Sequence, residues 1–302
     1  MVYGIIFAGG YGKRLRPLTD KIPKVLLEIK RNYTILDKQL LDFKYSGINN
    51  IYLLVGYKWK LIKKRYGDFW NGININYLVE KKPMGTLWAL RNCIKYLDDD
   101  AIVRNGDTVS DINLKMLIND ALKKDYGLLI ALTKMKSPYA VVETYGDRIK
   151  SFVEKPFLNH YVNAGTYYIK KDVFKYIFKD YKNKEIEKTF IPELVSMGIV
   201  GSFFDDSGWF PVDNFKDLEE LRKEYKGRID KDFGYIKKNE DIQEIYIKAL
   251  YKAYIKRVGK IEIIKGSGLL NGIEIFQGQV KEIKNPWHFE ARENTIIKLT
   301  SL

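Results

Sequence analysis

The sequence predicts an α/β fold, a mixed and mainly parallel sheet flanked by helices, with a small C-terminal α+β appendage. Three observations lead there. Short apolar runs alternate with helix-periodic segments through the first part of the chain, which is the pattern of parallel strands joined by crossover helices. The first apolar run breaks into three glycines within four positions (Gly9, Gly10 and Gly12). Such a turn sits at the carboxyl end of a strand, the ligand-binding edge of a sheet of this kind. Beyond residue 226 the pattern changes to one long helical stretch followed by short runs broken by glycines.

In chain order, strands are expected at residues 2–7, 51–55, 73–79, 101–104 and 128–132. Helices are expected between them at 36–45, 58–66, 86–96 and 114–123, the first stopping at Gly47, a reasonable glycine just past a helix end. From Tyr139 onward short strands at 141–143, 149–153 and 163–169, with a turn at Gly146-Asp147, read as a mixed or antiparallel layer added to the parallel sheet. Helices follow at 172–178, 188–196 and 215–225. Residues 1–226 then form one large domain. Residues 227–302 form an appendage with a packing or oligomerisation role, so a homo-oligomer is possible. Within it, residues 241–258 carry Ile242, Ile245, Leu250, Tyr254 and Val258 among Lys and Glu, an amphipathic helical spacing. Short strands are expected from 261 to 299.

At 302 residues the chain is long enough to bury a large core, and 46% hydrophobic with 30% charged residues describes a globular protein. The net charge of +14 fits nucleic acid, a membrane surface or anionic small substrates. No zinc-finger, homeodomain or RNA-recognition signature accompanies it. The favoured reading is a lysine-rich surface with a locally positive cleft, with no nucleic-acid partner. Cys93 is the only cysteine, so no intrachain disulfide forms, and it reads as a core thiol. With only His160 and His288, a histidine-based metal site or dyad is disfavoured. The expectation is a cytoplasmic protein without membrane insertion. No apolar stretch approaches membrane-spanning length, and no charged leader precedes the first apolar run.

The chemistry concentrates in the glycine turn. Glycines allow a left-handed backbone and close approach of a ligand, and successive N–H groups in such a loop form an anion-binding concavity. Lys13, Arg14 and Arg16 follow at once, supplying the cations a polyphosphate needs. The spacing is neither the dinucleotide fingerprint nor the Gly-x-x-x-x-Gly-Lys-Ser/Thr loop, because Arg14 follows Lys13. The glycines alone fit an ordinary tight turn equally well. Asn105-Gly106-Asp107 closes another strand, and an Asp there faces the same crevice. Taken alone, that too is an ordinary turn.

The longer string decides. Ala8-Gly9-Gly10-x-Gly12-x-Arg14-Leu15-x-Pro17-Leu18-Thr19, followed by Pro23-Lys24, resembles the signature of the sugar-1-phosphate nucleotidyltransferases. That family joins a nucleoside triphosphate to a sugar 1-phosphate and releases pyrophosphate. The resemblance implies a Rossmann-like nucleotide-diphospho-sugar transferase fold and covers residues 2–223. It implies nucleotide contacts from Ala8, Gly9, Gly10, Gly12 and Lys13, and from Pro83, Gly85 and Thr86, since Pro83-Met84-Gly85-Thr86 is similar to the family's segment beside the base. Thr86 also suits a helix N-cap. Glu154-Lys155-Pro156 and Asn163-Ala164-Gly165 resemble the sugar-phosphate side, with Lys155 for the phosphate and Glu154 and Asn163 for hydroxyls. Arg14, Lys24 and Asp107 would be catalytic. Asp107 and Asp213 would hold Mg²⁺, a cation commonly bound by one or two carboxylates plus phosphates. Asp213 also suits a helix N-cap.

The motif order is most similar to the branch of heptose 1-phosphate and mannose-1-phosphate guanylyltransferases, which make nucleotide sugars for surface polysaccharide or glycoconjugate synthesis. Four positions depart from the family pattern: Lys13 for Thr or Ser, Ala140 for Gly in Tyr-Gly-Val, and Asn214 and Phe215 after Asp213. Rival readings are uridylyl or thymidylyl transfer to glucose 1-phosphate, a cytidylyltransferase for a non-sugar phosphate, and a non-catalytic regulatory relative. The last of these would lack the cations and the Asp that are present here.

Overall fold

Ile5 and Ile6 show how the core is built. Adjacent on the strand Tyr3–Ala8, they point to opposite faces, and both are fully buried. Both faces of this strand are therefore covered, as in a central parallel strand. The computed structural model describes residues 1–205, 207–225, 228–231, 234–239, 242–247 and 249–300. They divide into two compact units, Met1–Lys223 and Glu224–Leu302.

The first unit holds an eight-stranded sheet. Its order is Val200–Phe204, Leu128–Lys136, Phe157–Ile169, Ala101–Asn105, Tyr3–Ala8, Asn50–Val55, Ile73–Val79, Phe69–Trp70. The four strands from Ala101–Asn105 to Ile73–Val79 are parallel, and Phe157–Ile169 runs antiparallel to both of its neighbours. One face packs Leu36, Leu40, Phe43, Ile62 and Leu117 against Ile6 and Leu53. The other packs Leu87, Leu90, Cys93, Phe174 and Phe190 against Ile5 and Val103. Each such burial stabilises by roughly 1.5–3 kcal/mol. The chain steps from Tyr3–Ala8 outward through Asn50–Val55, Phe69–Trp70 and Ile73–Val79, then returns to Ala101–Asn105 on the other side of Tyr3–Ala8. That reversal opens a crevice at the carboxyl ends of these two strands.

Three expectations need correction in this unit. Residues 141–145 and 148–153 form a separate two-stranded ribbon, and only Phe157–Ile169 joins the main sheet. Residues 171–178 wind as a 3₁₀ helix. The helix expected from 188 begins at Phe190, which puts Pro192 in its first turn, where a missing N–H costs least.

The second unit is two antiparallel sheets of six and four strands around one core that includes Ile245, Ile263, Trp287, Phe289 and Ile297. The expected helix at 241–258 is absent. The described part forms the strands Ile242–Ile247 and Lys252–Ile255, while residues 241 and 248 lie outside the described residues. The governing period is two: Ile245 with Ile247, and Ala253 with Ile255, are buried. Leu250 and Tyr254, which a helix would place on its apolar stripe, are 90% and 62% exposed.

Candidate active site

The glycine turn leaves the strand Tyr3–Ala8 at the crevice. Gly12 is left-handed at φ 60°, and a Cβ there would meet the Thr19 methyl at 2.8 Å. Thr19 Oγ1 donates to the Gly12 carbonyl at 2.8 Å and Leu15 N does so at 2.9 Å, so the loop closes on itself. Gly10 has open space around it. Lys13 sits 5.8 Å over the ring of Tyr11, which in turn packs on Tyr57 with ring centroids 5.2 Å apart. Tyr57 N donates to the Gly9 carbonyl at 3.3 Å. The sequence reading missed Gly56-Tyr57, which closes the neighbouring strand without any motif of its own.

Asp107 is carried by a turn that is tied down on two sides. Gly106 N donates to the Phe7 carbonyl at 3.0 Å, and Val212 N donates to the Asp107 carbonyl at 2.9 Å. The short strand Thr108–Ser110 pairs antiparallel with Trp209–Pro211, Thr108 opposite Pro211. This pairing delivers Asp213 beside Asp107. Asp213 is not the cap of the helix Phe215–Glu224. Asn214 Oδ1 accepts from Asp217 N at 3.1 Å, and Asp217 returns a carboxylate to the N–H groups of Asp213 and Asn214. This reciprocal capping box was readable as Asn214-x-x-Asp217.

The two carboxylates converge on one cation. Lys24 Nζ lies 2.9 Å from Asp107 Oδ2 and 3.3 Å from Asp213 Oδ1. Its side chain is only 12% exposed. Arg14 Nη2 approaches Asp213 Oδ1 at 3.5 Å. Four sequence-predicted residues, Arg14, Lys24, Asp107 and Asp213, thus meet at one point. Among the described residues no cluster of three or more His, Cys, Asp or Glu side chains is suited to a metal. Two carboxylates closing on a cation-sized point still suit Mg²⁺, which fills its remaining positions with phosphate and water.

The base-side segment is also built. Gly85 is left-handed at φ 91°, and a Cβ there would meet the Lys184 carbonyl at 2.4 Å. Thr86 is the first residue of the helix Thr86–Ile94 rather than its cap, and its hydroxyl accepts from Ile186 N at 3.0 Å. The Pro83–Thr86 stretch is thereby braced against residues 184–186. Glu80, at the end of Ile73–Val79, has one carboxylate oxygen buried without a partner. Burial pushes its carboxyl above the ordinary range, opposed by a hydrogen bond from the Met84 backbone.

The sugar-side residues are less convergent. Glu154 and Lys155 pair with each other at 4.0 Å, beyond the end of the ribbon strand Arg148–Val153. Asn163 is already engaged. Its Oδ1 accepts from Gly165 N at 2.9 Å and its Nδ2 donates to Tyr167 Oη at 2.7 Å. Tyr167 Oη in turn donates to Glu187 at 3.2 Å. The two bonds to Gly165 and Tyr167 hold the Asn163 amide at the strand irregularity beside Asn105, with a second N–H on Nδ2 and a second lone pair on Oδ1 beyond them. Cys93 is a core thiol, its pKa raised by burial.

The chain is similar to known proteins. Residues 3–228 match the family described as Nucleotidyl transferase. The D-glycero-alpha-D-manno-heptose 1-phosphate guanylyltransferase of Aneurinibacillus thermoaerophilus is 30% identical over 72% of this chain and 97% of its own. Its namesake in Campylobacter jejuni is 33% identical over 61% of this chain and 86% of its own. The mannose-1-phosphate guanyltransferase of Yarrowia lipolytica is 33% identical over 71% of this chain and 61% of its own. The crystal structure of HddC from Yersinia pseudotuberculosis superposes with a TM-score of 0.56 at 24% identity, over 75% of this chain and 100% of its own, which speaks to the fold. With a glycine loop, a convergent cation–carboxylate cluster and a family match over three quarters of its length, the chain belongs to the nucleotidyl transferase family.

Proposed function

We propose that this nucleotidyltransferase transfers GMP from GTP to a sugar 1-phosphate of the heptose or mannose type, releasing pyrophosphate. The observation that carries the reading is the meeting of Arg14, Lys24, Asp107 and Asp213 beside the glycine loop. The naming of three relatives as guanylyltransferases supports the base and sugar class.

The reaction needs no covalent residue. A phosphate oxygen of the sugar 1-phosphate, already anionic at neutral pH, forms a bond to the α-phosphorus of the nucleotide. The bond from that phosphorus to the β-phosphate oxygen breaks, and pyrophosphate departs in line. Positioning and charge neutralisation supply the rate. The N–H groups of Gly9 to Gly12 and the guanidinium of Arg14 hold the departing pyrophosphate. Lys24 serves the α-phosphate, and Lys155 aligns the incoming phosphate. Asp107 and Asp213 hold Mg²⁺, which when bound neutralises charge on the transferred phosphate. The Pro83–Thr86 segment seats the base. The product would serve polysaccharide or glycoconjugate synthesis.

A pyrophosphate-release screen of GTP, ATP, CTP, UTP and dTTP against a panel of sugar 1-phosphates tests this. Turnover is expected with GTP and heptose or mannose 1-phosphate. A clear preference for another base, or for a non-sugar phosphate, overturns the assignment.

A further inference from the structure

The turn that carries Asp107 stands on a buried cluster of charges. The helix Ile35–Tyr45 presents Lys38, Gln39 and Asp42 inward, none more than 3% exposed. Lys38 Nζ donates to Asp42 Oδ1 at 2.5 Å and lies 3.2 Å from Asp111 Oδ1. Arg104, 1% exposed, donates from Nη1 to Asp42 Oδ2 and from Nη2 to Ser110 Oγ, both at 2.9 Å. Two cations and two carboxylates thus close into a neutral set. Gln39 Nε2 donates to the carbonyls of Asn105 at 2.9 Å and Thr108 at 2.8 Å.

Burying charges is costly, and replacing a buried ion network by apolar side chains is often neutral or stabilising. Stability alone is a weak reason for this cluster. Its placement is specific. Outside the helix, the groups in these contacts lie just before or just after Gly106-Asp107: Arg104 and Asn105 on one side, Thr108, Ser110 and Asp111 on the other. The same strand Thr108–Ser110 pairs with Trp209–Pro211, the segment leading to Asp213. Fixing it therefore fixes both carboxylates.

We propose that Lys38, Asp42, Arg104 and Asp111, together with Gln39, are positioning residues that set the separation of Asp107 and Asp213 for a divalent cation. The proposal rests on the reading of those two carboxylates as the metal ligands. Groups behind metal ligands commonly govern affinity by about 10–100-fold.

Two variants of the full chain test it. The first, Lys38→Met/Asp42→Leu/Arg104→Met/Asp111→Asn, removes two charges of each sign. The second, Gln39→Leu, removes only the grip on the two carbonyls and serves alone if the first does not fold. Thermal unfolding, Mn²⁺ titration by electron paramagnetic resonance with GTP present, and steady-state kinetics are measured on each, with Asp107→Asn as reference. The expected result is a Tm close to wild type, with Mn²⁺ affinity weakened about 10–100-fold in the first variant and less in the second. Wild-type Mn²⁺ affinity in the folded variants, with binding lost in Asp107→Asn, overturns the positioning role alone. Equal Mn²⁺ binding by wild type and Asp107→Asn overturns the metal reading beneath it.

Discussion

Lys24 satisfies two carboxylates at once, 2.9 Å from Asp107 and 3.3 Å from Asp213, and it is largely shielded from water. Removing it leaves two like charges facing each other, which disfavours the folded state until another cation arrives. Lys24→Met is therefore expected to lower Tm in metal-free buffer and to gain more Tm from added Mg²⁺ than wild type does; equal gains would refute this. Glu80 gives a pH prediction. Its carboxyl titrates above the ordinary 4.5 because burial disfavours the charged form. The folded protein thus holds this proton more tightly than the unfolded chain, so the associated stability is present below pH 4.5 and is lost as pH rises through the raised value. Glu80→Gln keeps an acceptor for the Met84 N–H and carries no charge. Its Tm should exceed wild type near neutral pH, with the difference shrinking toward pH 4. A constant difference across that range would argue against the burial origin. The Glu80 contact was not legible in the sequence, and the pairing of Lys24 was legible only as a set of residues that the family resemblance named. Lys24 meets partners 83 and 189 residues away, and no local pattern announces such a pairing.

Strands and turns were legible where one physical rule governed them. The strand Ile73–Val79 and the helix Leu114–Lys123 fall where periodicity places them, because each buries the side its pattern predicts. Residues 241–258 misled because their apolar positions fit a helix as well as two strands, and sheet partners select the strand pattern: Gly234–Asn239 and Thr295–Thr300 flank Ile242–Ile247, and Trp287–Ala291 pairs with Lys252–Ile255. The hydrogen bonds of Asn163 to Gly165 and Tyr167 were not legible in its motif, because they depend on the local backbone course of the strand Phe157–Ile169. Two glycines near the site separate folding from binding. A Cβ on Gly106 would lie 2.1 Å from the Phe7 carbonyl, between the two central strands. Gly106→Ala should destabilise by about 1–3 kcal/mol, read as a lower denaturation midpoint. Gly10 has nothing within 4 Å. Gly10→Ala should leave stability within about 0.5 kcal/mol while raising the KM for the nucleotide, since a methyl there obstructs only a ligand. If both variants behave alike in the two assays, the loop is not the phosphate cradle.

At the scale of the whole molecule, the family match ends at residue 228 and the first compact unit ends at Lys223. Each unit has a core of its own. Ile5, Ile6, Leu40, Leu90 and Val103 serve the first, and Ile245, Ile263, Trp287 and Phe289 the second. Every residue assigned here to nucleotide, metal or sugar phosphate lies in the first unit, and the buried cluster under Asp107 lies there too. A unit with its own core and a complete site should fold alone. A fragment of residues 1–225 is therefore expected to unfold cooperatively and to release pyrophosphate from the same substrates, within about tenfold of the full chain's kcat/KM. The full chain, with two independent cores, should show two heat-absorption transitions, only one of which moves when GTP and Mg²⁺ are added. An insoluble or inactive fragment, or a single transition that shifts as a whole, would mean that the first unit does not fold or act without Glu224–Leu302.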